Sequence, residues 1–199
     1  EDFIAATMST ELTSTSKLRE FVEELKKLNI KIINPSINES FPDFRAIDGK
    51  IFYGLGAIKN VGFEAISKIV EERIKNGQFK NLSDFINRVN PKYVNKLQLE
   101  GLVKAGALDN FNINRQSLYN SIPNLILKSK NLFESKSLNQ INLFDDEKNQ
   151  NDNDLLVNTN DFQFEERLSK EFETLGFFIS DHPLNQYKEY FPQYNITNF

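Results

Sequence analysis

Apolar residues return at Leu18, Phe21, Val22, Leu25 and Leu28, offsets that gather them on one face of an amphipathic helix. Thr15 or Ser16 is expected to cap it and Asn29 to end it. The period then changes from helical to alternating. Ile30, Ile32 and Ile33 predict a short strand closed by Asn34-Pro35, and residues 44–47 and 50–53 flank Asp48-Gly49, a dipeptide suited to a two-residue hairpin turn.

Helical spacing resumes in the stretch YGLGAIKNVGFEAISKIVEER, residues 53–73. Leu55, Ile58 and Val61 share one face of a helix or tight turn, and beyond Gly62 a second helix carries Ala65, Ile66, Ile69 and Val70 on its apolar side. The pattern is that of two helices joined by a glycine turn, a helix-hairpin-helix. Glycine lets the backbone of Lys59, Asn60, Val61 and Gly62 approach a neighbour closely, and the free N–H groups that open the second helix are anion donors. A turn that only joined two packed helices would need no cation, so Lys59 favours a phosphate over a purely structural role. Contacts of this kind position a protein on a duplex without reading its sequence.

A weaker copy follows. Asn81 caps a short helix expected over 82–88, Pro91 interrupts, and residues 94–105 bring Leu97, Leu99, Leu102 and Val103 to the turn Lys104-Ala105-Gly106-Ala107. The next helix is expected from Arg115 to Phe133. Two such units would share a core and present two phosphate sites, one with Lys59 and one with Lys104. From 134 to 160 Ser, Asn, Asp, Lys and Gln displace the apolar period, a composition that marks a flexible linker. Within it lies one apolar island, QINLF, residues 140–144. A last helix over 162–175 is expected to turn Phe164, Leu168, Phe172 and Leu175 inward and to stop at Gly176, ahead of an apolar run and Asp181-His182-Pro183.

Charge sharpens this picture. The net charge is -4, yet residues 50–130 hold 13 basic and 6 acidic side chains against 6 and 9 in residues 1–49 and 5 and 13 in residues 131–199. A basic centre between acidic flanks suits a local phosphate-tracking surface. With no cysteine, disulfide frameworks, thiol catalysis and Cys-ligated zinc are excluded. The sequence shows no apolar stretch of about 20 residues that would span a membrane and no leader, so a cytoplasmic home is expected. The opening Glu1-Asp2-Phe3 suggests a piece of a longer protein.

Catalytic chemistry finds little support. Asp152 and Asp154 form a D-x-D pair in the linker, where nothing would hold two carboxylates rigidly. His182, the single histidine, cannot build a multi-histidine metal site and is expected to cap or pack at Pro183. No phosphate loop is present, and Gly54-Leu55-Gly56 lacks the later glycine of a dinucleotide fingerprint.

Taken together, FIAATM (3–8), PSINE (35–39), YGLGAIKNVG (53–62), Val94-Asn95-Lys96 with LVKAGALD (102–109), and LGFFISDHPL (175–184) resemble the bacterial replicative polymerases of family C, the DNA polymerase III alpha subunits. The resemblance covers nearly the whole chain; Asn60 stands where a glycine is commoner. It implies that residues 1–49 end the fingers, 50–133 form a tandem helix-hairpin-helix DNA-binding region, 134–160 carry a clamp-binding motif, and 161–199 lead toward an OB domain beyond this sequence. It also implies a parent DNA-directed DNA polymerase whose catalytic aspartates and Mg2+ lie in an upstream palm, with no cofactor in this part.

The expected fold is mainly α, a tandem helix-hairpin-helix with a small β-hairpin and a disordered linker. The expected DNA contacts are Gly56, Lys59, Asn60, Val61, Gly62, Lys104, Gly106 and Arg115; the expected clamp contacts are Gln140, Leu143 and Phe144. Duplex DNA, the sliding clamp and other polymerase III holoenzyme subunits are the expected partners, with no membrane. The competing readings are a hairpin module of a DNA repair or recombination protein and a protein-interaction scaffold.

Overall fold

The amphipathic period near the N-terminus becomes helix α2 (Thr15–Lys27), preceded by α1 (Asp2–Thr10), in a computed structural model that describes residues 1–137 and 155–194. Leu18, Val22 and Leu25 are buried on α2. Its cap is Ser14, one residue before the expected Thr15, and Asn29 terminates it in the left-handed conformation, φ 54°.

Three short strands follow, β1 (Lys31–Ile33), β2 (Arg45–Ile47) and β3 (Lys50–Phe52). They form a sheet in the order β1-β3-β2. The β2–β3 pair is the expected hairpin, antiparallel with Ala46 opposite Ile51, and its turn residues Asp48 and Gly49 both have positive φ, 51° and 73°, the geometry that the Asp-Gly pair accommodates. β1 runs parallel to β3, with Ile32 opposite Ile51.

The loop between β1 and β2 ties the sheet to the helices. Ile37 is fully buried; its N–H donates to Ala107 O at 2.7 Å, and its own carbonyl accepts from Arg73 Nη1 at 2.7 Å. Asn38 pairs with the backbone of Phe79 in both directions, each bond 2.8 Å. These bonds satisfy buried main-chain groups that a loop between packed elements would otherwise leave unpaired.

The helical part comprises α3 (Phe63–Asn76), α4 (Leu82–Arg88), α5 (Lys96–Lys104) and α6 (Arg115–Ser137). Asn81 caps α4 as expected, accepting from Asp84 N–H at 2.8 Å, while Asn95 and Gln98 form a reciprocal capping box on α5. Arg88 binds Glu72 and Asp84 at 3.1 and 3.0 Å and donates to Gly77 O at 2.8 Å, so it closes the C-terminal end of α3.

α6 runs four residues past the expected Phe133. Residues 155–160, assigned to the linker on composition, lie along it: Val157 N–H donates to Ser121 Oγ, Thr159 N–H to Ser117 Oγ, and Asn114 Nδ2 to Thr159 O, at 2.7, 3.1 and 2.9 Å. Ser117 and Ser121 on α6, both buried, supply partners that apolar counting does not register.

α7 (Phe164–Leu175) ends at Gly176, φ 83°. Leu168 and Leu175 are buried, but Phe172 is 43% exposed and Glu171 takes an inward position. Glu171 Oε1 accepts the N–H groups of Ile179 and Ser180 at 2.7 and 2.9 Å, which offsets part of the cost of burying the carboxylate, while Oε2 has no hydrogen-bond partner among the described residues; Phe172 instead packs on Phe178, centroids 5.0 Å apart. His182 behaves as a turn residue: its Nδ1 accepts Leu184 N–H at 3.2 Å and its ring meets Phe178 edge-on. A 3-10 segment, Pro183–Tyr194, follows. One apolar cluster extends from Ala5 to Phe177 and includes residues of all three strands' surroundings and of α1 to α7 except α7's exposed face.

Candidate nucleic-acid interface

The first hairpin unit is built on a single 3-10 turn, Leu55–Ala57, rather than a longer helix. The cause is close packing at its glycines. Leu55 and Gly56 donate to Phe41 O and Pro42 O at 2.8 and 2.9 Å; a Cβ at Gly54 would lie 2.7 Å from Asp43 C, and one at Gly56 would lie 2.7 Å from Pro42 O. The turn that follows is left-handed at two positions, Asn60 (φ 68°) and Gly62 (φ 79°). Asparagine is one of the few side chains that enter this region readily, so Asn60 holds the turn without the strain that most other side chains would meet there.

Val61 is buried and anchors the turn, while Lys59, Asn60 and Gly62 are exposed. Three contacts hold it from outside. Lys59 N–H donates to Thr174 O on α7 at 3.0 Å. Gln98 uses Oε1 for its own helix cap and Nε2 to donate to Val61 O at 3.0 Å. Gly101 on α5 lies directly beneath, since a Cβ there would come 2.9 Å from Lys59 O. Among the described residues no partner takes the N–H groups of Gly62, Phe63 or Glu64, the donors at the positive end of a 14-residue helix.

This turn forms one side of a surface groove of 740 Å³ whose lining includes Thr13, Thr15, Lys59, Gly62, Phe63, Gln98 and Glu173. Phe63 is half exposed in it.

The second unit differs. Gly106 (φ 76°) again turns the chain, but both of its basic residues are engaged. Lys104 Nζ reaches Glu173 Oε1 and Oε2 at 2.9 and 3.1 Å, and Arg115 grips Asp109 with Nε and Nη2 at 2.9 and 2.6 Å. Their side chains are 14% and 11% exposed. A side chain at Gly106 would collide with the Arg115 guanidinium, whose Cζ lies 2.7 Å from the Cβ position, so this glycine makes room for that ion pair. The hydrogen bond from Lys104, with the Lys104 charge behind it, holds the Glu173 carboxyl below the usual carboxylate range; Lys170 and Lys59 act the same way.

Of the other basic residues in 50–130, Arg73 is buried on Ile37 O, and Lys68, Arg88 and Lys96 pair with Glu71, Glu72 and Glu100. Lys50, Lys59, Lys75, Lys80, Lys92 and Lys130 form no ion pair among the described residues. Lys59 alone of these lines the groove.

The sequence singled out Gly56, Lys59, Asn60, Val61 and Gly62, which converge here, and Lys104, Gly106 and Arg115, which build the second turn. It missed Gln98, Gly101, Glu173 and Thr174. Two carried a signal: Asn95-x-x-Gln98 is a capping-box spacing, and a glycine inside a helical pattern marks a close approach. Gln140, Leu143 and Phe144 lie outside the described residues, as do Asp152 and Asp154. Among the described residues no three His, Cys, Asp or Glu side chains gather as a metal site requires, and no helix is long and apolar enough to cross a membrane.

The paired glycine turns, the shared core and the exposed helix N-terminus define a helix-hairpin-helix region, and a family model described as a helix-hairpin-helix motif matches residues 29–118. The chain as a whole is homologous to one segment of the bacterial DNA polymerase III alpha subunits. It is 37% identical to DNA polymerase III subunit alpha of Campylobacter jejuni over 94% of its length and 36% identical to that of Borreliella burgdorferi over 100%. The identity to the Caulobacter vibrioides subunit is 33% over 92%. The chain spans 16%, 18% and 16% of these relatives.

Proposed function

We propose that this chain is the part of a replicative DNA polymerase that grips duplex DNA by its backbone. The first hairpin supplies the contact: Lys59 provides the charge, the N–H groups from Gly62 onward receive a phosphate, and Gly56, Asn60 and Val61 set the turn. The second hairpin, with Lys104, Gly106 and Arg115, lies against the first and offers a second point of attachment. The observation that carries the reading is the N-terminal end of α3, whose first N–H groups and neighbouring Lys59 ammonium have no partner among the described residues, in a groove lined also by Gln98 of α5 and Glu173 of α7. The parent enzyme extends a primer, with its catalytic aspartates and Mg2+ in a palm outside this segment. The relatives favour that parent over a repair or recombination protein.

We assign Gln140, Leu143 and Phe144 to the sliding clamp, since Q-x-x-L-F combines one polar and two apolar anchors in a polar surrounding. Further contacts with other holoenzyme subunits follow from the same parentage. The direct test of the DNA grip is retention of a duplex by the 199-residue chain on a filter. Retention that falls steeply from about 50 to about 200 mM salt supports it. No retention at low salt contradicts it.

A further inference from the structure

Among the described residues, Glu173 is the one acidic side chain in the groove that also holds Lys59, Gly62 and Gln98. It sits in the last turn of α7 and accepts both of its bonds from Lys104, a residue 69 positions away on the second hairpin. Lys59 of the first hairpin is near enough to stabilise the same carboxylate. Thr174, the next residue, accepts Lys59 N–H at 3.0 Å and so fixes the end of α7 against the first turn. One carboxylate therefore pairs with the cation of the second hairpin and lines the groove that holds the cation of the first.

Exposure within the pair is unequal. The Glu173 side chain is 57% exposed and that of Lys104 14%. Lys104, the last residue of α5, is built into the surface with its Nζ 5.8 Å from the centre of the Tyr119 ring, whereas Glu173 meets solvent and can rotate out of the pair without disturbing the core. An acidic residue on a surface that receives a polyanion weakens binding wherever it stays in place. It does so least where its oxygens hold the position that an incoming oxyanion would take. Carboxylate and phosphodiester each offer two acceptor oxygens that share one negative charge, so a lysine that binds one is shaped to bind the other.

Building on the reading of the hairpins as a DNA grip, we infer that the Glu173 carboxylate occupies the seat of a backbone phosphodiester that bridges the two hairpins, and that DNA displaces it from Lys104. In the free chain the pair keeps Lys104 ordered and neutralised. In the complex a phosphodiester takes Lys104 and reaches toward Lys59, and Glu173 swings into solvent. The surface thus holds DNA less tightly than its lysines would if unopposed, a property suited to a grip that must move along its duplex.

The test is Glu173→Gln in the 199-residue chain, with binding to a fluorescent duplex followed by anisotropy over a salt series and folding checked by circular dichroism. The substitution keeps the size of the side chain and removes the competing charge. The expected result is an affinity roughly threefold or more higher at about 50 mM salt, with a slope of log K against log salt close to the parent's, because the phosphodiester reaches Lys104 in both chains. In a chain that carries Lys104→Met, the same Glu173→Gln change should give little of this gain, because the cation it frees is absent. If the parent chain binds duplex but Glu173→Gln leaves the affinity unchanged, or gives the same gain with and without Lys104, the seat does not exist and the DNA grip stands. If neither parent nor variant binds duplex at any salt, the grip itself fails, and the inference with it.

Discussion

Gly101 of α5 faces the carbonyl oxygen of Lys59 so closely that a methyl group there would lie 2.9 Å from that oxygen and 2.9 Å from Val61 Cγ2. The two hairpins are therefore not strung in series but packed on each other, and the glycine turn of the first is shaped by the second.

Gly101→Ala opposes two effects of similar size. Alanine favours a helix interior over glycine by about 1 kcal/mol, whereas inserting a methyl group into a packed contact costs about 1–3 kcal/mol. The expected outcome in urea denaturation is a loss of roughly 0–2 kcal/mol, with a larger proportional loss of duplex affinity because the turn carrying Lys59 is displaced. Unchanged affinity would show that the contact does not set the turn.

Asn60 tests the same turn from within. Its φ of 68° is reached by asparagine and glycine with little strain and by β-branched residues at a cost of about 1–2 kcal/mol. Asn60→Gly should leave the urea midpoint near that of the parent, and Asn60→Val should lower it, with a loss of stability in this range. Equal midpoints for the three chains would contradict a left-handed residue at this position.

The Lys104–Glu173 pair has a pH signature. A carboxyl whose folded value lies below its ordinary 4.5 contributes stability that is present above 4.5 and is lost as pH falls through the folded value. The side-chain resonance of Glu173 should titrate below 4.5 and move up toward it in Lys104→Met. A midpoint that Lys104→Met does not move would separate the two residues in solution.

Leu143→Ala with Phe144→Ala should abolish binding of the chain to the cognate sliding clamp and leave duplex affinity unchanged. Burial of the two side chains in a partner amounts to roughly 3–6 kcal/mol before ordering costs, enough for a micromolar contact. Calorimetry that gives the parent and the double variant the same clamp affinity would remove the motif from the interface.

Much of the fold was legible because local signals agreed with one another: the period of α2, the Asp-Gly turn between β2 and β3, the Asn81 cap and the Gly176 stop all stand where the residues put them. What the sequence did not reveal depends on partners distant in the chain. Glu171 lies inward because backbone N–H groups eight and nine residues later meet it, and residues 155–160 lie on α6 because Ser117 and Ser121 receive them. Periodicity treats both as solvent-facing. At the site, residue types identified the first turn, but Lys104 and Arg115 read as available cations until Glu173 and Asp109 appeared beside them.

On the proposed reading, Lys59 and the free start of α3 contact a DNA phosphate. The most direct test of this contact is the salt dependence of duplex binding by Lys59→Ala beside the parent chain. Each phosphate contact releases condensed counterions, so the loss of one should weaken binding and reduce the slope of log K against log salt by about one unit. A Lys59→Ala chain that matches the parent in both affinity and slope would place the DNA elsewhere.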